Sequence, residues 1–186
     1  GGGIDISGAV TSNGGDITLG GGADPSATAA IGTAGTSNDG VRITATGSIS
    51  SAAGSISIRG TSDSGNGVEV LGGGDVTSTT GSITINGSAT TGTGEEGVLL
   101  QRAGTTISSA DGDISITGTS ASVNGIRISD QVVVSSTGTG AGAGTITLTG
   151  SSTATTGNAD GILIQDAGTM ITSVDGNILL TGDSDA

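Results

Sequence analysis

The chain has 186 residues, 39 of them glycine, with no Phe, Tyr, Trp, Cys or His, and its only cations are four arginines. A formal charge of −13 argues against nucleic acid and anionic membrane as partners, since phosphate contacts need Lys and Arg. The missing cysteines exclude disulfides and thiolate metal sites, and no run reaches the ~18 apolar residues of a membrane span.

The first elements are short. Ile4/Ile6, then Val10, then Ile17/Leu19 form three alternating β-branched or aliphatic runs separated by Gly-rich turns, which is the pattern of strands rather than helices. Residues 20–39 follow as the longest turn excursion and hold the single proline, Pro25. Such a loop is the expected place for partner contact. The strand triplet then recurs through the chain. Its first run continues at Val41/Ile43, Val68/Val70, Val98/Leu100, Ile126/Ile128 and Ile162/Ile164. Its second is led by Ile49, Val76, Ile107, Val134 and Ile171, and its third by Ile56, Ile83, Ile114, Ile146 and Ile178. Coils therefore start near Gly3, Gly40, Gly67, Gly97, Gly125 and Gly161.

Three short strands that each present one aliphatic face cannot bury it alone, and winding coil on coil buries all three. The predicted fold is all-β: a three-sided, parallel, right-handed β-solenoid of about six coils in one segment spanning 1–186, with uncapped ends. At about 4.8 Å per coil it would be a rod segment roughly 29 Å long.

Two polar columns accompany the strands. Ser12, Ser51, Ser78, Ser109, Ser136 and Ser173 each stand two places after the leading residue of the second strand, so alternation points them inward. Buried hydroxyls need partners, which predicts a structural ladder. A serine nucleophile would need a base, and His and Lys are absent. The other column, Asp39, Asn66, Glu96, Asn124 and Asp160, precedes the first-strand glycines. It reads as turn chemistry tolerant of positive φ, with Ca²⁺ coordination by Asp39, Glu96 and Asp160 as the alternative.

Paired carboxylates for glycoside hydrolysis have candidates at Asp111/Asp113 with Asp175 and at Glu95/Glu96 with Asp63. No aromatic is available for sugar stacking, and no enzyme is expected. Thr-rich outward positions of the third strand raise ice binding, but Arg59, Asn86 and Leu179 interrupt that array. On the first strand's outer face, Asp5, Arg42 and Glu69 fall on successive coils as a surface charge ladder.

The tail reads into the head: Leu180 would stand nine positions before a following Gly3, as Ile58 does before Gly67. The expectation is one period of a longer array, or copies stacking head to tail. The phrasing "GVxIxxxxxISSxxGxISITG" resembles filamentous-haemagglutinin-like exoproteins and other giant bacterial surface proteins with β-helical repeats. That resemblance implies secretion to the cell surface and a role as the shaft of a filament, with adhesion to glycans or host surfaces through the turns as the alternative. It carries over no site residue.

Overall fold

A computed structural model describes residues 3–33, 38–91, 94–155, 157 and 159–185. Three parallel sheets face one another around a single aliphatic core. Sheet one stacks Ile4–Ile6, Val41–Ile43, Val68–Leu71, Val98–Gln101, Ile126–Ile128 and Ile162–Ile164 in that order. Sheet two stacks Ala9–Ser12, Ser48–Ser51, Asp75–Ser78, Thr106–Ser109, Val133–Ser136 and Met170–Ser173. Sheet three stacks Ile17–Leu19, Ile56–Ser62, Ile83–Ala89, Ile114–Ser120, Ile146–Ser152 and Ile178–Ser184. The chain is thus an all-β solenoid with three faces, six levels of strand per face.

Register makes the core. Ile56, Ile83, Ile114, Ile146 and Ile178 pair directly, as do Val41, Val68, Val98, Ile126 and Ile162. The inward residues of the middle levels, such as Ile85, Ile107 and Ile116, are fully buried. Each such side chain contributes about 1.5–3 kcal/mol, and parallel stacking gives it an aliphatic neighbour above and below. At the last level the same files emerge into solvent: Ile164 is 39% exposed, Ile178 42% and Leu180 48%. Gly1, Gly2 and Ala186, where the tail-to-head reading joins, lie outside the described residues.

The structure corrects two boundaries. The third strand does not stop at its glycine but runs two residues further, as in Ile56–Ser62. The excursion is also shorter than 20–39: Ala30–Gly32 re-enters sheet three opposite Gly60–Ser62, leaving 20–29 as the loop. Positions 34–37 lie outside the described residues.

Glycines hold the closing corner. A Cβ on Gly87 would stand 2.0 Å from the Gly97 carbonyl oxygen, and one on Gly118 2.1 Å from that of Gly125. Gly60 and Gly150 stand in the same relation to Gly67 and Gly161. Here the end of each third strand passes against the start of a first strand, and only hydrogen fits between the backbones.

Candidate functional site

The second-strand serines close turns. Ser78 Oγ donates to the Gly54 carbonyl of the preceding coil at 3.3 Å and accepts from Gly81 N at 3.0 Å. Ser109 repeats both bonds with Gly81 O and Gly112 N. Ser51 and Ser136 donate to Gly15 and Ala110 carbonyls, and Ser12 accepts from Gly15 N. Ser173 Oγ is buried without a partner. It stacks on the one coil whose turn is lengthened by the Gly140–Gly142 single-turn helix.

A second hydroxyl column was missed by sequence reasoning. Ser120 Oγ donates to Glu95 O at 2.8 Å, Ser152 Oγ to Val123 O at 2.6 Å and Ser184 Oγ to Ala159 O at 2.7 Å. Ser62 Oγ donates likewise to Asn38 O. Each ties the end of a coil to its own beginning. Ala89 occupies the position in the third coil. The available signal was a Ser two places after the third-strand glycine.

The column before the first-strand glycines is a ladder, not a set of positive-φ turns: none of its residues is among the left-handed ones. Asn66 N donates to Asp39 Oδ1 at 2.8 Å, Glu96 N to Asn66 Oδ1 at 2.9 Å, and Asp160 N to Asn124 Oδ1 at 3.0 Å. Side-chain oxygens of one coil thus satisfy amides of the next. Glu96, one methylene longer, reaches Arg127 at 3.5 Å instead. Among the described residues no three carboxylates converge as a metal cage. Asp39 and Glu96 are each within reach of an arginine, and Asp160 is exposed.

Beside this ladder lies a polar groove of about 500 Å³ on the outer face of sheet one. Register brings Asp5, Arg42 and Glu69 onto successive coils. Arg42 Nε donates to Glu69 Oε2 at 2.9 Å, with Asp39 at 3.8 Å and Asp5 at 3.9 Å from the guanidinium. The sequence suggested a solvated ladder. Instead Glu69 and Glu96 are buried, because the turns at 64–66 and 94–96 wall the groove. Burial pushes the Glu69 carboxyl up to about 7, the nearby Asp39 charge adds to this, and Arg42 opposes it. Burial raises Glu96 as well, against the pull of Arg127. The groove thus sets one carboxyl raised by burial beside Arg42 and a second beside Arg127.

Three of the hydrolase candidates accept local hydrogen bonds. Asp113 Oδ1 accepts from Thr145 N and Asp175 Oδ2 from Gly140 N, both at 2.7 Å, so they fasten turns. Asp63 accepts from Ser64 Oγ at 3.0 Å on the surface. Pro25 sits at the tip of the 20–29 loop, where Asp24 accepts from Ser26 N at 3.0 Å and Gly21 N donates to Thr28 O at 2.9 Å. The hydrogen bonds from Ser26 hold the Asp24 carboxyl below its usual range.

No family model, no curated protein and no solved structure matches this chain.

Proposed function

We propose that this chain is a structural rod segment of an extracellular bacterial surface filament, stacking end to end with neighbouring blocks of coils. One observation carries the reading. The aliphatic files run in register through all six levels, and at the sixth Ile164, Ile178 and Leu180 carry them to the surface. Parallel coils in register around an apolar core accept a further coil of the same pattern, and a rod that is all repeat suits a shaft better than a catalyst. The resemblance to filamentous-haemagglutinin-like proteins supports the surface location. Sedimentation velocity and electron microscopy of the isolated chain test it. Rods growing in steps of roughly 29 Å, abolished by Leu180→Asp, are expected. Monomers at every protein concentration would sink end-to-end stacking.

A second reading is adhesion through the turns, and the 20–29 loop favours it, since this insertion leaves sheet three while the strands on either side of it stay in register. Loss of glycan-array binding on deleting the loop would support it.

A further inference from the structure

The four arginines are not equivalent. Arg42 and Arg127 meet carboxylates, and Arg102 lies exposed in a turn. Arg59 has no ion pair among the described residues, and its Nε is buried without a hydrogen-bond partner. Arg127 Nε is also unpartnered, but that guanidinium holds Glu96 through Nη1. With 17 carboxylates in the chain, an arginine left without one is conspicuous. A buried donor with no acceptor costs about 1–3 kcal/mol, more when charged.

The local geometry explains how the vacancy arises. Leu19 pairs with Ile58 and Ala30 with Gly60, so the chain leaves the sheet directly opposite Arg59. The 20–29 loop arches over that gap, and Ala27 and Ala29 become one wall of a cavity of about 220 Å³. Asn86 and Thr117 follow Arg59 on successive coils, with Thr61, Ser88 and Thr119 in the adjacent file. No carboxylate lines the cavity. It therefore offers one guanidinium, an amide, several hydroxyls and two methyl groups.

We propose that this cavity binds one hexuronic acid ring, its carboxylate on Arg59 and its hydroxyls on Asn86 and the Thr/Ser files. A guanidinium pairs with a carboxylate in a planar fork, and Arg59 lines this cavity with no carboxylate of the chain beside it. The volume lies below the ~300–1,000 Å³ of sites for drug-sized ligands, which suits a single ring. One arginine balances one charge, and on a chain of −13 a phosphate dianion would bring a second charge with nothing to neutralise it. The hydroxyl-rich lining selects a sugar acid over an apolar carboxylate. The inference is independent of end-to-end stacking.

The four arginine Nε–H signals of the ¹⁵N-labelled chain give a direct readout. Titration with methyl glucuronoside should shift the Arg59 signal saturably in the millimolar range. Neutral methyl glucoside should bind at least about tenfold more weakly, the worth of a charged hydrogen bond. Arg59→Gln should weaken methyl glucuronoside by about tenfold or more, followed through the Asn86 side-chain amide, while Arg102→Gln leaves it unchanged. Removing a buried donor that lacks an acceptor should leave the circular-dichroism melting temperature equal to or above that of the parent, which checks that the variant folds. The proposal is overturned if the Arg59 signal does not move, if both glycosides bind equally, or if Arg59→Gln binds within about twofold of the parent.

Discussion

Gly118→Ala tests the closing corner. The new Cβ would sit 2.1 Å from Gly125 O and 2.7 Å from Gly125 C, whereas ordinary contact begins near 3.4 Å. One backbone must therefore retreat by more than an ångström. Overpacking of this kind costs about 1–3 kcal/mol when side chains can give, and here the obstacle is main chain. Gly125 O already accepts from Val98 N at 3.0 Å. Moving it strains that bond, worth a further ~1 kcal/mol or more. The expected destabilisation is about 3–4 kcal/mol. Gly8→Ala is the control, because its Cβ meets nothing within 4 Å. It should be neutral or stabilising by up to about 1 kcal/mol through the unfolded state. Without tryptophan or tyrosine, urea unfolding is followed by far-ultraviolet circular dichroism, and the midpoint is compared at constant slope. A Gly118→Ala midpoint equal to that of Gly8→Ala would refute the account of why glycine stands there.

Glu69→Gln should change how stability depends on pH. The Glu69 carboxyl is raised from 4.5 to about 7 in the folded chain, so the native state binds the proton more tightly. Its contribution is complete below about pH 4.5 and is lost as pH rises through about 7. The full difference would be about 3 kcal/mol, reduced to about 1–2 by water in the groove. The variant should gain that much on the parent between mildly acidic and mildly alkaline buffer, with Asp5, Asp39, Arg42 and Glu96 unchanged around it. A constant gap across that range would contradict the burial argument. Ala89→Ser should restore the hydroxyl that closes the other coils, by analogy donating to Gly65 O, and stabilise by about 0.5–1.5 kcal/mol. Denaturant midpoints measure it, and a lower midpoint would mean that this coil closes differently.

The strands were legible because stacking repeats one chemical demand at each level. Alternating Ile and Val gave three faces, and the inward serines followed from the same alternation. What escaped notice depended on where strands cross rather than on how each runs. Gly60, Gly87 and Gly118 looked like turn residues because glycine usually ends a strand. Only the neighbouring first strand reveals that they lie mid-strand at a close approach, with Ser62 and Ser120 continuing beyond. The groove was illegible for a related reason. Asp5, Arg42 and Glu69 were placed on one face, but the burial of Glu69 depends on the turns at 64–66 and 94–96, which lie outside the strands.

A stack of equivalent levels also constrains where function can reside. Any feature repeated in every coil, such as the Ser78 and Ser109 hydroxyls, is already committed to holding adjacent coils in register. A level becomes chemically distinct only where the repeat is broken. The breaks here are few: the 20–29 loop facing Arg59, Glu96 in a column otherwise of Asp and Asn, Ala89 in the closing file, and the lengthened turn that leaves Ser173 Oγ without a partner. Ala89 bears on stability alone, and the turn beneath Ser173 leaves one buried hydroxyl unsatisfied. Glu96 and Arg59 place charge where neighbouring coils have none, and each lies beside an open cavity. Of these two, Glu96 already has its counter-charge in Arg127. Arg59 is the irregularity whose chemistry the chain itself leaves incomplete, so a ligand has more to gain there than at any regular position on the rod.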